Sequence, residues 1–216
     1  MKMLSKLYNF VLYTTTKYNI DESHGLSHAM DILGYASNIF DEEVVKHPQI
    51  KHQEKIIYVS SILHDMCDKK YMDQHEGIEN INTFIGSLKD DTSIPIITVG
   101  EEKVINDIIS TMSYSYVKAN GFPDLGEYQT AYNIVREADL LCAYDFNRCM
   151  IYQMYNKKYS LDDAYCDGVK LFNTRVLKHN DDGLLLTEFA KNNYKPLETK
   201  SRHQISQWKK LLGKKL

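Results

Sequence analysis

QEKIIYVSSILHD, residues 53–65, is the stretch on which the reading of this chain turns. Ile56, Ile57, Val59, Ile62 and Leu63 recur at helical spacing, and so densely that the helix must lie at the centre of a fold rather than on its surface. It then ends on a histidine and an aspartate, His64 and Asp65, just before the polar run CDKKY. A core helix that delivers two ligand-type side chains at its end implies both an all-helical core and a candidate site.

The same period extends in both directions. Leu4, Leu7, Tyr8, Val11 and Leu12 form one stripe, and a helix from about Ser27 to Phe40 carries Ile32, Leu33, Ala36 and Ile39. His75 to Leu88, a segment from about Glu101, and another from about Glu127 with Ile134, Val135, Ala138 and Leu141 follow. Helices are expected around Phe146–Tyr155, Leu161–Val176, Leu184–Asn192 and Ser201–Leu211. Ser93–Gly100 contains Pro95 and reads as a connector, although IPIITV has the composition of a short strand. SYSYVKANGFPDLGEY, with Gly121, Pro123 and Gly126, reads as a long loop of the kind used as a lid over a pocket. No repeat or linker divides the chain, so one all-α domain is expected.

Bulk properties narrow the function classes. A chain of 216 residues with 43% hydrophobic and 25% charged residues can bury a core and is not disordered. The net charge of -3 gives no general attraction to a nucleic acid polymer or an anionic membrane. No run approaches the roughly 20 apolar residues of a membrane span, and no secretory leader is expected from the lysine-interrupted first helix. Cys67, Cys142, Cys149 and Cys166 form no C-x-x-C pair, and reduced thiols in a cytoplasmic setting are the simplest reading.

Three stretches place imidazoles and carboxylates on separate helices: His28 at a helix start, His64 and Asp65 at a helix end, and Asp139 among apolar neighbours. A carboxylate on a buried face is costly unless it is paired or binds a metal. Asp139 has an ordinary alternative in Arg136, one turn earlier.

The stretches read D-x-S-H-x-x-x-H (Asp21–His28), S-x-L-H-D-x-x-D-x-K-Y (Ser61–Tyr71) and I-V-x-x-A-D-L-L (Ile134–Leu141). In order and spacing they resemble the HD-domain superfamily of metal-dependent phosphohydrolases. More narrowly, the chain looks like the small single-domain members related to bacterial nucleotide pyrophosphatases. The resemblance covers about Leu4–Met150, with the remaining helices as a C-terminal extension, and implies an HD-type helical bundle.

By that resemblance His28, His64, Asp65 and Asp139 hold one divalent ion, and His24 lies beside the site without ligating, as a substrate-binding residue. Two imidazoles and two carboxylates suit Mn²⁺, Fe²⁺, Co²⁺, Ni²⁺ or Mg²⁺. The two aspartates cancel the ion's charge, so an anionic substrate needs other donors: Lys70 first, then Arg148 and Arg175, with Lys69 more ordinary as a surface charge. Asp68 is the leading general base, ahead of Glu76 and Glu137. The implied activity is hydrolysis of a phosphate bond in a nucleotide or related small metabolite. The alternative is a metal-bound nucleotide sensor without turnover; a plain helical interaction module is a third reading. Binuclear relatives need two further histidines. His75 falls where the first would lie, but IISTMSYS lacks the second, and one ion is expected. Cys142 stands where many relatives have an aspartate, with Asp145 one turn on as a possible substitute.

Overall fold

In the computed structural model, which describes residues 3–213, ten α-helices follow one another. They are α1 (Met3–Tyr18), α2 (Leu26–Lys46), α3 (Glu54–Leu63), α4 (Gln74–Ser87), α5 (Val99–Thr111), α6 (Tyr114–Asn120), α7 (Gln129–Cys142), α8 (Phe146–Tyr155), α9 (Leu161–Thr174) and α10 (Glu188–Leu211). The dense apolar run places α3 at the middle, with Ile56, Ile57, Val59, Ile62 and Leu63 all buried. Helices α1, α2, α5 and α7 pack around it. Side chains from these helices make one contiguous core. A smaller cluster of Tyr144, Phe146, Met150, Tyr165, Phe172 and Val176 joins α8 and α9 to the body, with Leu197, Ile205 and Trp208 of α10 packed on it.

The fold is therefore all-α and single-domain, with extra C-terminal helices. Among the described residues no strand forms: IPIITV contributes one isolated bridge between Lys89 and Pro95. No described helix is long and apolar enough to cross a membrane.

Several boundaries differ from the sequence reading. Helix α2 continues six residues beyond Phe40, to Lys46. His64 and Asp65 do not end the central helix but open a separate 3₁₀ turn, His64–Cys67. The tighter turn redirects both side chains away from the α3 stripe. The expected long loop contains α6: Ser113 accepts from the Tyr116 amide as an N-cap, and Gly121 at φ 78° ends the helix. Leu184–Asn192 and Ser201–Leu211 are not separate helices, because α10 runs unbroken through Pro196. Packing of Leu197 and Trp208 against the second core cluster outweighs the backbone hydrogen bond that proline removes.

Two buried contacts tie this arrangement together. Glu137 of α7 accepts from the amides of Leu186 and Thr187 and from the Thr187 hydroxyl, fastening the start of α10 to the core. Arg136, the residue considered as a partner for Asp139, instead bonds the Leu184 carbonyl, lies over the Phe122 ring and approaches Glu137 at 3.7 Å.

At Gly77, on α4, the Cys67 backbone comes so near that an added Cβ would lie 2.6 Å from Cys67 Cα. Gly77→Ala should therefore destabilise the protein by about 1–3 kcal/mol through overpacking, despite the better helix propensity of alanine. Gly86, on the same helix, has open space around it, and Gly86→Ala should raise stability by up to ~1 kcal/mol. Thermal unfolding of the two variants gives shifts of opposite sign if the close approach decides; a stabilised Gly77→Ala would refute it.

Candidate metal centre

Three segments meet at one end of the core. The start of α2 presents His28, the 3₁₀ turn after α3 presents His64 and Asp65, and α7 presents Asp139. His28 Nε2 lies 3.2 Å from Asp65 Oδ2 and 3.6 Å from Asp139 Oδ1. His64 Nε2 lies 3.1 Å from the same Asp65 oxygen. His28, His64 and Asp65 each offer a donor atom within 4.8 Å of the other two, while Asp139 joins the group through His28. All four residues expected as ligands are thus neighbours.

Their unsatisfied state is more informative than their proximity. Both ring nitrogens of His28, Nε2 of His64 and Oδ2 of Asp65 are buried without a hydrogen-bond partner. Buried polar atoms normally find partners, and leaving one unpaired costs about 1–3 kcal/mol. The other nitrogen of His64, Nδ1, donates to the Ser61 carbonyl at 2.9 Å, since a carbonyl can only accept. That bond leaves Nε2 facing Asp65, where it is the nitrogen that a metal would take in place of a proton, the arrangement that second partners impose on metal-bound histidines. Ligand atoms at about 2.1 Å from an octahedral ion and at right angles to one another lie about 3 Å apart. The donor set and its spacing therefore fit a divalent ion.

Charge is arranged to match. Burial opposes the ionised forms of Asp65 and Asp139, yet the facing histidines, with Arg148 in the case of Asp139, hold both carboxyls well below the ordinary range. For His64, burial acts to lower the pKa, but Asp65 and Asp139 outweigh it and push the value up to about 9.

His64, Asp65 and Asp139 line a cavity of about 810 Å³, with His28 buried behind them. Asp139 is not sealed in the core as its apolar neighbours are; its side chain keeps 26% exposure toward this space. Lys70, Arg148 and Arg175 all line the cavity, as does Lys69. Arg148 donates to the Ser23 carbonyl at 2.5 Å and sits 3.9 Å from Asp139, and its Nη1 is buried without a partner. The Arg175 guanidinium lies over the Tyr114 ring, 4.1 Å from its centre, so α6 does contribute an aromatic wall.

Asp68 accepts the Lys70 ammonium at 2.8 Å, and its other oxygen accepts the Lys70 amide. Burial works against the charge of Lys70, but Asp68 and Asp65 keep its pKa above the usual lysine value. His24 lies against Lys70 at 3.3 Å, and burial lowers its pKa to about 4.

Other candidates are placed elsewhere. Glu137 is buried and saturated by Leu186 and Thr187, Glu76 is engaged by Tyr18 and Lys17, and neither lines the cavity as Asp68 does, so neither serves as a base here. His75 is 83% exposed and pairs with Glu79, which removes it as a ligand. Asp145 reaches the cavity wall but caps α8 through the amides of Asn147 and Arg148. Cys67 is buried, and its thiol is pushed up to about 12 by burial and then by Asp65 and Asp68, so it is a packed, unreactive group. Sequence reasoning did not find Tyr152 in the cavity wall, nor buried His179, whose ring stands edge-on to Tyr144. Nothing in their local pattern distinguishes them from core aromatics.

In metal-free protein the proton on His64 stabilises the fold. Because the folded value exceeds the ordinary 6.5, this contribution is complete below about 6.5 and is lost as the pH rises through about 9. The unfolding temperature of chelator-treated protein should fall by several degrees across that interval, at roughly 2–4 °C per kcal/mol for a chain of this size. Asp65→Asn should flatten the dependence; an unchanged slope in that variant would disprove the coupling.

No protein-family model and no curated protein matches this chain. Among solved structures it is similar to a crystal structure of a Lactobacillus plantarum protein determined as a structural-genomics target, with a TM-score of 0.71 and 15% sequence identity. The match covers 98% of this chain and 97% of that one. It shows that the helical arrangement recurs as a complete unit over nearly the whole length.

Proposed function

We propose that this protein is a metal-dependent hydrolase of phosphate bonds in a small phosphorylated metabolite such as a nucleotide. The observation that carries the reading is the set of unpartnered donor atoms of His28, His64 and Asp65, with Asp139 beside them, at the wall of a cavity that Lys70, Arg148 and Arg175 also line. These four residues would hold one Mn²⁺, Fe²⁺, Co²⁺, Ni²⁺ or Mg²⁺. Bound there, the ion would supply an acidified water and polarise a phosphoryl oxygen. The resemblance of the three sequence stretches to HD-type phosphohydrolases points to the same chemistry.

The remaining steps belong to the chain. Lys70 and Arg148 stand in the wall next to the donor set and offer N–H groups to the phosphate. Arg175, further along the cavity and packed on Tyr114, binds a second anionic part of the substrate or its sugar and base. Water attacks phosphorus, its oxygen bonding as the bond to the leaving oxygen breaks. The Asp68 carboxylate, in the same wall, accepts the proton that the water loses. The cavity is large enough for a nucleotide-sized ligand, within the usual range of about 300–1,000 Å³. The low net charge gives no general attraction to a nucleic acid polymer and so favours a small molecule.

Reconstitution with Mn²⁺ followed by a nucleotide panel, with phosphate and pyrophosphate measured, tests the reading. Product should form, and His64→Ala or Asp65→Ala should lose the ion and reduce turnover by more than about 100-fold. Asp68→Asn should retain the ion and lose turnover. Nucleotide binding without product would make the protein a sensor, and undiminished activity in Asp65→Ala would overturn the metal-dependent mechanism.

A further inference from the structure

Beside the four proposed ligands, the cavity wall carries a second set of donor atoms. His24, Asp65 and Asp68 each contribute one, all within 4.8 Å of each other. Asp65 belongs to both sets, and it is buried with an oxygen that has no hydrogen-bond donor. Two members of the second set already contact a positive charge, and the charge of Asp65 acts on it from further off. The Lys70 ammonium lies 2.8 Å from Asp68 Oδ2 and 3.3 Å from His24 Nε2.

The state of His24 follows from this contact. An ammonium only donates, so His24 Nε2 accepts and the ring proton resides on Nδ1. Nδ1 faces Ser23 Oγ at 2.7 Å and the Tyr71 hydroxyl at 3.1 Å. The Tyr71 hydroxyl donates its own proton to Asp21 Oδ2 at 2.7 Å, which leaves its oxygen free to accept from the ring. Asp21 is buried and is held in turn by the Ser23 amide. The Asp21–Tyr71 pair thus fixes the tautomer of His24 and turns its Nε2 lone pair toward the cation, which is how outer partners prepare a histidine to ligate a metal.

We propose that Lys70 fills a second cation position, built by His24, Asp65 and Asp68, and that this position takes up a divalent ion when the ammonium is removed. The inference rests on the divalent-ion site of His28, His64, Asp65 and Asp139. In two-metal hydrolases a pair of ions about 3.5–4 Å apart shares the charge of the reacting phosphate. Here the second charge is a covalently tethered ammonium, and Asp65 links the two positions. Such a site gains two-cation character from a single exchangeable ion. Removing Lys70 leaves two carboxylates and a lone pair facing one another, which repel until a cation returns.

Metal content is the direct test. Purified wild type, Lys70→Met, Lys70→Ala and Lys70→Arg would be loaded with Mn²⁺, freed of excess, and measured for manganese per chain and by electron paramagnetic resonance. Wild type and Lys70→Arg should hold one ion with the signal of an isolated Mn²⁺. Lys70→Met and Lys70→Ala should hold two, with the isolated signal replaced by that of a spin-coupled pair. Adding Asp68→Asn to Lys70→Met should restore one ion. Circular dichroism of each variant establishes that it is folded, and two different truncations keep the test valid if one of them is unstable. One ion in both folded truncations, with one in wild type, overturns the second position while leaving the metal centre standing. Two ions in wild type shows that the ammonium does not fill it, and no ion in wild type removes the metal centre and this inference together.

Discussion

Inside the helical core, two imidazoles and a carboxylate turn toward one another with atoms that bond to nothing else. Every other feature of the site depends on that constraint. Burying these atoms without partners opposes folding, so the three segments that carry them must be held by apolar packing elsewhere. Helix α3 provides the hub: its buried isoleucines pack against α1, α2, α5 and α7 and fix the directions from which His28, His64, Asp65 and Asp139 arrive. At this corner of the core the unpaired atoms are all ligand types facing one another, and a bound cation would relieve the cost of burying them.

Around this corner the charges form two layers. Asp65 and Asp139 face the histidines, while Lys70 and Arg148 stand behind them, each within 4 Å of a carboxylate. The arrangement sets cationic nitrogens beside the acidic groups without closing the cavity, so an anion entering it finds N–H donors next to the carboxylates. Arg175 extends the basic surface toward α9, held flat against Tyr114. The C-terminal helices therefore do more than cover the core. Helices α8 and α9 supply one wall of the cavity, and α10 braces them through Trp208 and the second aromatic cluster.

Much of this was legible in the residues. The apolar density of residues 56–63 identified the central helix, and the spacing of His28, the His64–Asp65 pair and Asp139 marked the four groups that the fold brings together. Local patterns were weaker where backbone and packing compete. Gly121 and Pro123 suggested a continuous loop, yet the Ser113 cap and the buried Val117 suffice for a short helix before the glycine. The apolar pattern suggested two helices, Leu184–Asn192 and Ser201–Leu211, yet α10 runs through both, with Leu197, Ile205 and Trp208 packed on the second cluster.

Composition and periodicity determined the all-helical class, because those properties repeat locally along the chain, and the sequence named the imidazoles and carboxylates that the fold brings together. Only the tertiary structure decided that Glu137 is consumed by the α10 start, that His75 faces solvent, and that His24, Asp68 and Lys70 form one cluster. Such outcomes depend on which residue from a distant segment reaches a given atom first. A hydrogen-bonding group has few valences, and the fold, rather than the neighbouring sequence, determines how they are filled.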